Sequence, residues 1–227
     1  MKNMDDELVE LSVTQIKEAI GQKDTVDDFF VFRASTEDHF LEGRSLRLRG
    51  FTVILCTHGT ENGTINLDRV SIDEGSLLMS FPNNVIRIEK GEPKAHVRGI
   101  IISQEFMSNL HVDVKNSLPL FMQLAYNPLI KLTPEQQSDV ERYLDLLENI
   151  STNESLKHRD QIISGLLISM FYRISDMYDQ SPKLVDKGDR SVRNRREEYF
   201  AKFIKLLSEN FKRERTVGFY AEQMCVT

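Results

Sequence analysis

Between Asp28 and Ser103 the chain is a succession of short β-branched and aromatic runs, FFVF, FTVILCT, TINLDRV, SLLMSF, NVIRI and HVRGIIIS, separated by clusters of turn-forming residues. Such runs fit strands better than helices, because β-branched side chains lose rotamer freedom in a helix and pack well on a pleated surface. The breaks are Gly59 to Gly63 with Asn62-Gly63, Asp73-Glu74-Gly75, Pro82-Asn83-Asn84 and Gly91-Glu92-Pro93, each able to supply dihedrals that β-branched residues resist. Strands this short and regularly spaced predict a barrel or sandwich over residues 28–131.

The flanking segments change period. Residues 8–20 place Val9, Val13, Ile16 and Ile20 on one stripe of an amphipathic helix within an N-terminal arm, residues 1–27. Core packing, a lid or a dimer contact are its alternative roles. At Leu132-Thr133-Pro134-Glu135-Gln136, an N-cap Thr, a Pro at the first helical position and a Gln at the third predict a helix start. That helix carries Val140, Tyr143, Leu144 and Leu147 and fades at Ser151-Thr152-Asn153. A second helix places Ile163, Leu166, Leu167, Met170, Ile174 and Met177 on one face, and its apolar arc widens through Ile162, Phe171 and Tyr178. Residues 132–180 therefore form a helical pair, which either dimerises through residues 133–179 or only covers the barrel and completes a monomer core.

Charge divides the chain. Residues 1–182 hold 18 Lys and Arg against 28 Asp and Glu, whereas residues 183–215 hold 11 against 6, within a net charge of −6. An acidic body and a basic tail restrict any contact with a polyanion to the tail. The alternative is a solvated tail whose bases pair with Asp186, Asp189, Glu197 and Glu198. Residues 181–194, SPKLVDKGDRSVRN, lack apolar periodicity and predict an interdomain linker. Beyond it Asn194 and Glu197 open a helix with Phe200, Phe203, Ile204, Leu207 and Phe211 on one face. Thr216 then caps a second helix carrying Val217, Tyr220, Ala221 and Met224, and Cys225-Val226-Thr227 makes a turn. Two helices without a third partner are too small to bury a core, so the sequence predicts continuation past Thr227.

The segment AEQMCVT at 221–227 resembles the Ala-x-x-x-Gly-Val-Ser stretch where a helix-turn-helix passes into its recognition helix. The preceding REEYFAKFIKLLSENFKRERTVGFY is similar to the lead-in of the AraC/XylS family of bacterial transcription regulators, whose order of parts matches nearly the whole chain. The resemblance implies an α+β chain: a cupin-like β-barrel as sensor, an antiparallel helical pair that dimerises, and an incomplete all-α helix-turn-helix domain over 195–227. It implies that Ala221 lets the two motif helices approach, that Val226 lies beneath the turn, and that Thr227 caps the recognition helix and touches a DNA phosphate. Cys225 stands where the family carries Gly, a position that often needs positive φ. Arg195, Arg196, Arg213 and Arg215 are the further candidates for phosphate contacts. The recognition helix and a second helix-turn-helix are not within these residues, so DNA would be read only through the complete C-terminal domain. The family's mode of action implies an effector that alters how arm, barrel and helices pack, shifting a homodimer between arrangements that do or do not suit two half-sites.

A sensor barrel needs polar groups at its mouth to orient a small molecule. The candidates are Arg47 and Arg49, which alternate with Leu46 and Leu48, His58 at the end of the FTVILCT run, and Arg87, His96 and Arg98 on later strands. Alternation fixes only their relative faces, and a rim or solvent-facing position is the alternative for each. A rival class is a cupin-fold small-molecule or carbohydrate-binding protein or metal enzyme. Metal chemistry asks for two or three His and a carboxylate around one ion, yet there is no His-x-His pair, and His58, His96 and His111 lie in different segments. No Gly-x-Ser-x-Gly elbow, phosphate loop or catalytic carboxylate pair is present, and Cys56 and Cys225 offer no disulfide framework. GEPKAHVRG from Gly91 resembles the phosphate cassette of cyclic-nucleotide regulators, but its Arg-Ser/Thr pair is missing. The expectation is a protein without catalytic activity, metal or cofactor. The N-terminus carries acids where a signal peptide carries bases, and no apolar stretch approaches the roughly 20 residues of a membrane helix, which predicts a cytoplasmic location.

Overall fold

The β-branched runs pair into two five-stranded sheets in a computed structural model that describes residues 8–19, 28–35, 45–66, 68–82, 84–89, 95–110, 124, 128–181, 199, 202–203, 206, 210, 213–214 and 216–225. The first sheet has the order β1 (Leu8–Leu11), β3 (Ser45–Leu48), β8 (Val85–Ile88), β5 (Thr60–Ile65), β6 (Asp68–Asp73). The second has the order β10 (Leu129–Lys131), β7 (Ser76–Ser80), β4 (Gly50–His58), β9 (His96–Ser103), β2 (Phe29–Ser35). Every pair is antiparallel except β1 with β3. With the helices below, this is a mixed α+β architecture. Of the expected barrel or sandwich, the cupin-like barrel is corrected in one respect: the strands form two separate sheets among the described residues and do not close. Two of the chain's changes of sheet are glycine corners, Gly59 (φ 81°) between β4 and β5 and Gly75 (φ 79°) between β6 and β7. These backbone angles are open to glycine at little cost. The corners are tied together by Glu74 N–H donating to Gly59 O (3.0 Å) and Gly75 N–H to Cys56 O (2.8 Å).

Three expectations about local structure fail for physical reasons. TINLDRV is not one strand, because Asn66 takes a left-handed conformation (φ 49°) and splits it into β5 and β6. Asn62-Gly63 is not a turn but lies inside β5, where a Cβ on Gly63 would stand 2.3 Å from the Arg87 carbonyl oxygen, so glycine serves strand approach. Residues 8–20 are not one helix: Leu8–Leu11 pairs with β3, and only α1 (Val13–Ala19) is helical. Its start is a reciprocal cap, with Gln15 N–H donating to Ser12 Oγ and Ser12 N–H to Gln15 Oε1. Strand β10 and helix α2 (Gln104–Asn109), capped by Ser103 Oγ accepting from Phe106 N–H, are additions to the sequence reading.

Alternation along the strands builds the core. Leu11, Leu46 and Leu48 of the first sheet cluster with Val9, Ile16 and Ile86, while Phe30, Phe32 and Ile101 of the second cluster with Val13, Ile16, Ala34, Ile54 and Val97. Ile16 of α1 belongs to both clusters, so the helix packs on the apolar faces of both sheets. Lys17, one turn from Val13, is buried with it. Helix α3 (Pro134–Ser151) packs on β2 and β9, and α4 (Arg159–Gln180) packs on α3. The Thr133 capping box is complete in both directions. Contacts Gln136–Gln180, Asp139–Arg173 and Tyr143–Ser169 run in opposite sequence order, so the pair is antiparallel. Between them they bury Val140, Leu144, Leu147, Ile163, Leu167, Met170, Ile174 and Met177.

The chain divides into two compact units, residues 1–112 with 128–181, and residues 113–127 with 182–227. In the second, Tyr199, Lys202, Phe203, Leu206 and Asn210 have helical backbone, and α5 spans Val217–Met224. Buried Tyr220 meets the Phe203 ring edge-on at 5.8 Å and donates its hydroxyl to Glu214 O at 2.8 Å. Thr216 stands at the N-cap of α5 but makes no side-chain cap bond. The linker from 182 to 194, the Asn194–Glu197 start, Phe200, Ile204, Leu207, Phe211, Val226 and the Gly91–Pro93 break lie outside the described residues. No described helix is long and apolar enough to cross a membrane.

Candidate functional site

On β4, Thr52, Ile54 and Cys56 share the face that carries Phe30, Phe32 and Ile101, since Thr52 pairs with Ile101 and Ile101 with Phe30. Thr52 also pairs with Ser80 of β7, which sets two hydroxyls side by side on a mainly apolar face. Both are buried, Thr52 to 2% exposure, and among the described residues Thr52 Oγ1 has no hydrogen-bond partner. Ser80 Oγ reaches the Phe81 carbonyl at 3.5 Å. A buried hydroxyl without a partner costs about 1–3 kcal/mol, so it is a position where a bound polar group is worth most. In the first sheet, Glu61 lies on the same side of β5 as Ile65, whose partner Ile86 is in the Leu46 cluster, and its carboxylate is buried. Its Oε1 accepts from Asn62 N–H at 3.0 Å. Cys56 is fully buried, and burial pushes its thiol pKa up, which makes it an inert wall residue. These neutral hydroxyls escape a search for charged motifs. The available signal is a polar residue at the apolar parity of FTVILCT.

The six ligand candidates stand elsewhere. Arg47 lies opposite Leu46 and Leu48 on β3, and its Nη1 donates to Glu10 Oε1 at 2.9 Å, while Arg49 Nη2 donates to Glu10 Oε2 at 2.6 Å. These two guanidiniums, Arg49 first, hold the Glu10 carboxyl below the usual glutamate range. Arg87 likewise alternates away from Ile86. Arg98 points to α3, donating from Nη2 to Asp145 Oδ1 (2.7 Å) and Glu148 Oε2 (3.2 Å). His58 and His96 meet at the end of β4 and β9, with ring centroids 6.2 Å apart. The six therefore form separate groups and do not converge on the apolar interior. A strand period of two sends the neighbour of each buried Leu, Ile or Val to the opposite face.

Of the DNA-contact candidates, Arg213 is exposed, and Arg195, Arg196, Arg215 and Thr227 lie outside the described residues. Cys225 ends α5 in the left-handed region, φ 56° and ψ 42°, and its N–H donates to the Ala221 and Glu222 carbonyls. Among the described residues no group of three or more His, Cys, Asp or Glu is arranged to hold a metal ion.

No family model and no curated protein matches the chain. Among solved structures the chain is similar to ToxT from Vibrio cholerae, at 12% identity over 88% of this chain and 72% of that one, with a TM-score of 0.36. A second ToxT structure, with an unsaturated fatty acid bound, aligns at 11% identity over 91% and 72% of the two chains, with a TM-score of 0.39. The AraC-like transcriptional activator CuxR aligns at 10% identity over 89% of this chain and 65% of its own, with a TM-score of 0.36.

Proposed function

We propose that the chain is the ligand-sensing and dimerisation region of a cytoplasmic DNA-binding transcription regulator of the AraC/XylS type, and that it acts without catalysis. The observation that carries this reading is Cys225, which takes the left-handed conformation at the one position where the resemblance calls for glycine. A small molecule would lie between the apolar faces of the two sheets, its polar group meeting Thr52 Oγ1 beside Ser80. Strand β9 touches both ends of the proposed signal. A Cβ on Gly99 would lie 2.7 Å from the Phe32 ring on the interior side, and the adjacent Arg98 holds α3 on the other side. Exposed Leu146, Ile162 and Tyr172 on the helical pair support a homodimer contact there.

The test is DNA footprinting with the protein and whatever its gene encodes after Thr227, with and without a metabolite panel spanning sugars, fatty acids and aromatic acids. Effector-dependent protection of two half-sites by a dimer supports the reading. A monomer at micromolar concentration that protects no promoter fragment, and that no compound stabilises thermally, overturns it.

A further inference from the structure

We propose that His58 and His96 form a surface site for one divalent, imidazole-preferring transition-metal ion, independent of the sensing role proposed above. The local backbone creates the pair. From Gly50 to Cys56 the register of β4 against β9 is regular, and it would set Thr57 opposite His96. A bulge after Cys56 shifts the register by one residue, so His58 becomes the partner of His96, and Thr57 Oγ1 secures the bulge by donating to His96 O at 3.0 Å. Bulges re-aim side chains in this way. The two imidazoles lie nearly parallel, 27° apart, with centroids at 6.2 Å.

A shared ion is within reach of that spacing. Nitrogens bound at about 2.0–2.1 Å put the two ring centroids roughly 5–6.4 Å apart, depending on the nitrogen–metal–nitrogen angle. The observed 6.2 Å lies at the wide end, near a nitrogen–metal–nitrogen angle of about 150°, so an ion of tetrahedral geometry draws the two exposed rings together by about 1 Å. His58 Nδ1 lies 3.1 Å from Glu74 Oε2. A carboxylate accepting from Nδ1–H fixes the ring and leaves the Nε2 lone pair for a metal, the arrangement that outer-shell carboxylates give to metal-binding histidines. Two imidazoles with water at the remaining positions suit Zn2+, Cu2+ or Ni2+, and exclude Ca2+ and Mg2+, which take oxygen ligands. Cys56 is not a ligand, because its thiol is buried and directed to the His58 and Gly59 carbonyls. A bound ion would staple the corner at which the chain leaves β4 for β5.

Titration of the whole chain with ZnCl2 by calorimetry tests the site, alongside His58→Ala, His96→Ala, Glu74→Gln and the control His158→Ala. The expected result is one ion per chain, with affinity lowered at least ~10-fold by loss of either paired histidine, several-fold by Glu74→Gln, and unchanged by His158→Ala. Cu2+ in place of Zn2+ should give an electron paramagnetic resonance spectrum with coupling to two nitrogens, reduced to one in His58→Ala. That variant removes an exposed ring and is the least able to disturb folding. No Zn2+ binding below about 1 mM, or binding that both histidine variants leave unchanged, overturns the proposal.

Discussion

Arg33 on β2 and Arg98 on β9 are register partners on the face that packs on α3, and both donate to one oxygen of Glu148, at 2.7 and 3.2 Å. Like charges directly opposite each other destabilise a sheet unless an anion sits between them. Glu148 is that anion, supported by Asp145, which Arg98 also meets. Bonding to Glu148 raises the Arg33 pKa. The burden is uneven, since Arg98 is 11% exposed and Arg33 57%. Glu148→Gln should therefore cost about 1–3 kcal/mol, more than Asp145→Asn, because Glu148 is the anion that both arginines share through hydrogen bonds, while Arg98 alone keeps a short contact to Asp145. Adding Arg33→Ala to Glu148→Gln should recover part of the loss, measured as non-additive melting temperatures in a double-mutant cycle.

The clasp of β1 is pH-dependent. Glu10 has its pKa lowered from 4.5 by Arg49 and then Arg47. A depressed folded-state pKa contributes stability above the unfolded value, and that contribution is lost as pH falls through the folded value. Hydrogen exchange of the β1 amides should thus be slow at pH 7 and accelerate relative to β9 below about pH 4.5, the glutamate reference value. Glu10→Gln should abolish that pH dependence.

Glycines divide by environment. A Cβ would stand 2.3 Å from the Arg87 carbonyl oxygen at Gly63 and 2.4 Å from the Val53 carbonyl oxygen at Gly99, so Gly63→Ala and Gly99→Ala must part the strands. Each should destabilise by about 2 kcal/mol or more. Gly165 on α4 has open space at its Cβ, and Gly165→Ala should stabilise by roughly 0.5–1 kcal/mol through helix propensity. Thermal melts of the three variants give the comparison.

A change at Thr52 tests the proposed binding apart from folding. Its Oγ1 is buried and has no partner among the described residues, so Thr52→Val should leave stability unchanged or raise it by about 1–2 kcal/mol. If a small molecule binds as proposed, the same change should remove the thermal stabilisation it confers on the unaltered protein. A large loss of stability would mean that the hydroxyl has a structural role.

Cys225 holds a left-handed conformation with a Cβ to accommodate. Cys225→Gly should relieve roughly 1 kcal/mol, whereas Cys225→Val, β-branched at the same angles, should fray the end of α5. Amide exchange of Ala221 to Met224 reads both effects locally.

The elements that depend on near neighbours in the chain were legible in the sequence. Thr133-Pro134-Glu135-Gln136 specified a capped helix because all its bonds close within one turn. The α4 face from Ile163 to Met177 and the β4 and β9 runs follow from period, whereas the positive φ at Cys225 is implied by the family resemblance and runs against the backbone preference of a non-glycine residue. What lay out of reach depends on distant residues. Leu8–Leu11 carries a helical stripe yet becomes a strand because β3 offers it a parallel partner, and Gly63 has a turn signal yet lies in a strand because Arg87 approaches it. The candidate site shows the same limit. Charged residues stand out in a sequence, but which face of a strand they take is set by packing across the sheet, so Arg47, Arg87 and Arg98 turned from the interior while Thr52 and Ser80 entered it. Local sequence sets the element. The tertiary structure sets register and face, because a one-residue shift reverses every side chain, as the bulge that brings His58 opposite His96 demonstrates.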